Sequence, residues 1–221
     1  MENQSYSATL TRLFFALIFS STISFAQGYG AYLNNLADDP VANLYTKVKL
    51  LLKEGNWGEI EQIVQQEKVK KQLEDMNQLT HNNLGVQFLK AIQAKDENQV
   101  QFLLFEFYAE TIQEKFYWNL KEELKDLSAT TVRITLSKIF FTNILAPRIM
   151  EADRLSLNTS EPTKDYETIL KLFGECELAL GSVGMFGIGA IPADPARFKQ
   201  NASQIVALMK KYYAFSEIPL P

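Results

Sequence analysis

One cysteine, Cys176, and one histidine, His81, occur among 221 residues. Those two scarcities exclude more chemistry than any motif supplies. A single thiol cannot build an intramolecular disulfide framework, and the Cys-x-x-Cys-His attachment of a c-type haem is out of reach. A zinc cluster of Cys and His, or the paired Glu-x-x-His motifs of a di-iron bundle, needs more such ligands than the chain owns. A Ser-His-Asp triad would have to run through His81, whose neighbours lend it no support. We therefore assign no catalytic residue, no metal ligand and no cofactor. Basic runs are also missing, as is any Lys/Arg stripe with interleaved aromatics. With a formal net charge of −4, nucleic acid is not an expected partner. Finally, no apolar run reaches the roughly 20 residues that a bilayer-spanning helix needs.

The densest aromatic stretch runs from Gln99 to Leu124, QVQFLLFEFYAETIQEKFYWNLKEEL. Wound at about 100° per residue, Phe102, Phe105, Ala109, Ile112, Phe116 and Leu120 gather on one side. Leu104, Phe107, Tyr108 and Trp118 gather on another. Between them lies a narrow polar stripe of Glu106, Glu110, Gln113, Glu114 and Lys121. A helix that is apolar around most of its circumference needs neighbours on at least two sides. The expected fold is therefore all-α: a single bundle of about six or seven helices built from αα-hairpins around a central helix near 99–124.

The chain opens with a polar stretch carrying Arg12, then the apolar run LFFALIFSSTISFA from Leu13 to Ala26. Ser24 and Ala26 put small residues at the −3 and −1 positions of a cleavage site before Gln27. Together these features mark residues 1–26 as a secretory signal peptide and 27–221 as the mature helical domain. An uncleaved signal, anchoring the protein in an inner membrane, is the alternative. No cysteine directly follows the run, which removes a lipoprotein anchor. An exported chain with one unpaired thiol suits a bacterial periplasm.

Further along, Asp39-Pro40 is a helix entry, and Leu44, Tyr45, Val48, Leu51 and Leu52 recur at helical spacing. Gly55-Asn56-Trp57-Gly58 ends that helix and another starts near Glu59. Leu44, Leu51-Leu52, Gly55, Trp57 and Ile60 resemble a fragment of a tetratricopeptide helix pair. No second copy follows at the 34-residue repeat, so the pair is read as incidental. A hairpin through Leu84, Phe88 and Ile92 leads into the central helix. Thr130 to Ile144 predicts a helix that Pro147 should kink or interrupt. Helices over Asp165–Leu180 and from Pro195 to about Phe215 complete the set. Between them lies a glycine-rich apolar stretch, Gly181 to Pro192, without any charge.

Candidate binding residues emerge from this layout. Glu106, Glu110 and Glu114, at i, i+4 and i+8, line one helix face and are expected at its solvated edge, since carboxylates seldom stay buried unpaired. Turned inward, they would take a hard cation or a cationic ligand. Arg133 and Lys138 lie in a helix with little other polar surface, and one of them is expected to bridge to the acidic stripe or to hold an anionic ligand. Arg148, Glu151, Asp153 and Arg154 form a mixed-charge helix face. In the glycine-rich stretch, Met185 and Phe186 would either pack as a lid or, from the 181–191 loop, contact a partner or a lipid surface. His81 is expected to be a surface or capping residue, and Cys176 a buried inert thiol.

The functional expectation is an exported binding or adaptor protein without catalytic activity, whose partner is another protein or a small ligand. Its groove would lie between the central helix and the Arg133 segment, flanked by the glycine-rich loop and the Arg148–Arg154 cluster. The alternative is an enzyme or metal-handling protein that uses the Glu106, Glu110 and Glu114 carboxylates.

Overall fold

The computed structural model describes residues 39–183 and 189–221. The chain divides into two units, Met1–Asn43 and Leu44–Pro221. The second unit is the helical domain, and the first turn of its opening helix is contributed by Pro40–Asn43. The expected signal segment, and Met185 and Phe186, lie outside the described residues.

The elements are α1 (Pro40–Glu54), α2 (Trp57–Val64), α3 (Glu67–Thr80), α4 (Leu84–Gln93), α5 (Glu97–Lys121), α6 (Leu127–Phe140), a π-helical turn (Phe141–Leu145), α7 (Ala146–Ser156), α8 (Asp165–Ala179) and α9 (Pro195–Met209). The protein is an all-α bundle, as its periodicity requires. Side-chain caps start several of these helices. Asp39 Oδ1 accepts from Val41 N at 2.8 Å, Asp96 from Gln99 N, Asp126 from Ala129 N and Asp194 from Arg197 N. Each satisfies an amide that the first helical turn leaves unpaired. The helix expected from near Glu59 ends at Val64, and Gln66, which is extended (φ −57°, ψ 139°), separates it from α3. The break redirects α3 so that Val69, Leu73 and Met76 join Ile60 and Ile63 in the core.

Helix α5 is the axis. It packs against α3, α4, α6, the π turn and α9, which is why it is apolar on more than one flank. Val100, Leu103, Leu104, Phe107, Tyr108, Ala109, Ile112 and Phe116 are fully buried. Rings interlock along it: Phe88 meets Phe107 edge-on, and Phe116 meets both Phe173 and Phe198. Burial of side chains of this size is worth about 1.5–3 kcal/mol each. Phe102 departs from the expected pattern by lying at the solvent edge.

Pro147 does not break the rod that runs from α6 to α7. The backbone widens into the π turn, where Ala146 N donates to Phe141 O, and α7 resumes with the proline in its first turn. A proline cannot donate and clashes with the preceding turn, and a first-turn position removes both costs.

Where the glycine-rich stretch is described, it is pinched shut. Ser182 and Ile191 exchange backbone hydrogen bonds at 2.9 and 3.0 Å, and Asp194 N donates to Ala179 O. Gly181 makes the pinch possible. Its φ is +73°, and a Cβ there would sit 2.4 Å from Ile191 O and 2.8 Å from Ala193 N. Gly181→Ala should therefore destabilise the fold by more than the about 1–2 kcal/mol of a left-handed residue alone, measured by denaturant unfolding. Gly174→Ala, in helix α8 with nothing within 4 Å, should stabilise slightly.

Candidate functional site

The polar stripe of α5 is not at a solvated edge. Glu110 and Gln113 are fully buried, and Glu106 and Glu114 are at most 9% exposed. Burial of unpaired carboxylates would be costly, but partners arrive from distant segments.

The first comes from the loop between α3 and α4. Asn82 Nδ2 donates to Glu106 Oε1 at 2.6 Å and to Glu110 Oε1 at 3.1 Å, so one amide bridges two carboxylates a helical turn apart. Gln87 Nε2 fixes that amide through Asn82 Oδ1 at 2.9 Å and Asn82 O at 2.7 Å. The residues on either side of Asn82 are left-handed, His81 at φ +57° and Asn83 at φ +49°. Left-handed backbone is uncommon for residues other than glycine, and the loop holds it where it aims Asn82 at the two carboxylates. His81 accordingly closes α3 rather than opening α4.

The second partner is the C-terminal segment beyond α9. Ser216 N donates to Glu110 Oε1 at 3.0 Å. The side-chain amide of Gln113 takes the same segment from both sides: its Nε2 donates to Ser216 O at 3.0 Å, and its Oε1 accepts from Ile218 N at 3.1 Å. Ile218 is buried, while Ala214, Glu217, Pro219 and Pro221 face solvent. Upstream, the Tyr213 hydroxyl donates to Leu145 O, its ring lies 5.4 Å from Phe105, and the Arg148 guanidinium sits 5.4 Å above it. Phe105 in turn meets Tyr45 at 5.9 Å. The tail is thus strapped across α5 by an aromatic clamp at one end and by side-chain hydrogen bonds at the other.

Glu110 keeps one unanswered atom. Its Oε2 is buried and, among the described residues, has no hydrogen-bond partner. Desolvation pushes the Glu110 carboxyl up to about 7, with the neighbouring Glu106 adding to the rise and the Asn82 and Ser216 donors opposing it. Burial likewise raises Glu106, against the pull of Asn82. Glu114 is differently placed, 3.4 Å from both Lys115 Nζ and Gln72 Nε2. Among the described residues no group of three or more His, Cys, Asp or Glu side chains is arranged to hold a metal ion, so the three glutamates do not converge on one point.

The arginines part company. Arg133 does not reach the acidic stripe. It forks onto Glu122 at 2.6 and 3.0 Å and touches Asn119 at 3.4 Å. Glu122 lies twelve residues beyond Glu110, about 18 Å along a helix, which puts Arg133 far from the tail. Lys138 pairs with Glu177 at 2.9 Å. Arg154 is spent on Glu151 at the solvent-exposed surface of α7. Asp153 caps α8 by accepting from Asp165 N and Tyr166 N. Of that cluster only Arg148 joins the strap. Cys176 is buried, and desolvation pushes its thiol up to about 12. Met185 and Phe186 lie outside the described residues, although Val183 and Ile191 on either side of them are exposed.

Asn82, Tyr213, Ser216 and Ile218 are not among the candidates that the sequence singles out, and Gln113 enters there only as a member of the stripe. Gln113 carries a faint signal nonetheless, since a neutral amide is out of place in an acidic row.

These features define a class: a helical bundle whose axial helix carries an internal polar band closed by the chain's own tail. No family model, curated protein or solved structure matches the chain. Among the described residues no helix is long and apolar enough to cross a membrane.

Glu110 gives this site a pH signature. A carboxyl raised from 4.5 to about 7 binds its proton more tightly in the folded state, so its contribution is fully present below about pH 4.5 and fades as pH rises through 7. Such a shift is worth about 3 kcal/mol. Glu110→Gln, which keeps the acceptor facing Asn82 and Ser216, should remove this decline and raise the melting temperature at pH 8, as followed by circular dichroism. Arg133→Ala should cost about 1 kcal/mol or less, as expected for a partly exposed pair, in the same assay.

Proposed function

We propose that this protein is an exported helical binding or adaptor protein that acts without catalysis and engages a polypeptide partner along the polar band of α5. One observation carries this reading. The α5 side chains Glu110 and Gln113 hold main-chain groups of a non-helical segment of the same chain, and a band suited to polypeptide backbone supports the binding reading. Export rests on the residue pattern of Leu13–Ala26, with retention by an uncleaved signal as the alternative. Arg148, Glu106 and Glu110 frame the groove in this reading, in place of the Arg133 segment. Lipid contact through residues 181–191 is a lesser alternative, supported only by exposed Val183 and Ile191.

A second reading has its own support. Two adjacent carboxylates, one raised to about 7, resemble an acid–base pair. The two readings separate on Glu110→Gln. A binding protein should still capture its partner from periplasmic extract, because glutamine keeps the acceptor. An enzyme should lose its activity with the proton. Under the binding reading, Gln113→Ala should lose the captured partner while the melting transition remains cooperative. Equal capture by wild type and by Gln113→Ala would rule out the α5 band as the binding surface.

A further inference from the structure

The groups that hold the tail follow a strand's geometry. Ser216 N–H, Ser216 C=O and Ile218 N–H are the groups that an extended chain shows along one edge, where residues two apart point the same way. All three are taken by α5 side chains. Gln113 therefore does for this segment what a neighbouring strand would do, with one amide supplying both donor and acceptor. Main-chain pairing of this kind is indifferent to side-chain identity. Choice of sequence comes from pockets beneath alternate residues, and here Ile218 is the buried anchor at 2% exposure.

We infer that the tail occupies, in cis, a groove built for an extended peptide of the same chemistry supplied by another protein: a small polar residue followed two positions later by a branched aliphatic residue. This rests on the binding reading above and names its ligand class. The tail itself supplies the template. Ile218 is buried and Ser216 half-buried against α5, whereas Ala214, Glu217, Pro219 and Pro221 around them face solvent. Tyr213 stays clamped by Leu145 and Arg148, so the segment beyond it can leave while its root remains seated. A tethered occupant competes at an effective concentration of order mM, so a free peptide meets a groove that is closed but not blocked.

The test uses the full-length chain and a labelled nine-residue peptide with the sequence of Tyr213–Pro221, read by fluorescence anisotropy. Wild type should bind it weakly. Ile218→Asp, which expels the cis segment, should bind at least tenfold more tightly, and Gln113→Ala added to that variant should cancel the gain. A folded Ile218→Asp variant that binds no more tightly than wild type would overturn the inference, and so would a gain that survives Gln113→Ala. Should Ile218→Asp fail to melt cooperatively, amide exchange on wild type decides. Exchange of the Ser216 and Ile218 amides ahead of those in α5 supports an exchangeable tail. Exchange only with global unfolding rejects it. The capture assay, wild type against Gln113→Ala, tests the binding reading separately, because it is read without the peptide.

Discussion

The fold hangs on how one helix disposes of its own polarity. Helix α5 runs through the middle of the bundle with neighbours on several sides, yet it carries three glutamates and a glutamine that no apolar neighbour can accommodate. Leaving a buried polar group unpaired costs about 1–3 kcal/mol, and more when it is charged. The chain's answer is to bring in Asn82 from a strained loop and the main chain of its last residues. The loop's left-handed backbone and the tail's path both follow from that need. Two regions more than 100 residues apart thereby become one structural unit.

Much of this was legible in the residue pattern. The two apolar flanks of α5 required an enclosed helix, and Phe107, Tyr108 and Phe116 fill the core as their spacing demanded, while Phe102 lies at the solvent edge. The Asp39-Pro40 signal placed the start of the first helix. The direction of the acidic stripe was not legible. Carboxylates ordinarily face water, and the partners that reverse that preference lie 24 to 106 residues away. Arg133 misled for a similar reason. Its helix offers few polar residues, but Glu122 at the end of α5 was nearer than any member of the stripe. Pro147 marked a real irregularity, which takes the form of a π turn just before it.

The same arrangement joins stability to the seating of the tail. Glu110 is at once the most perturbed acid of the band and the acceptor for the tail, so its charge state and the tail's attachment share one atom, Oε1. Burial of the carboxyl, with Glu106 beside it, is what favours protonation. A helix that used only apolar contacts to seat the tail would be indifferent to such changes. The clamp at Tyr213 relies on a ring contact, a hydroxyl hydrogen bond and the Arg148 cation, and Glu110 takes no part in it.

Pro219 and Pro221 bear on what lies outside the molecule. With alternate amides facing opposite ways, the outward row of the strap would present its donors at 217, 219 and 221, and two of those three residues have no N–H to give. Exposed rows of free donors invite foreign chains to stack on in register, the usual route from a folded monomer to fibrous aggregates. Here the invitation is withdrawn on the side that meets the surroundings and kept on the side that meets α5.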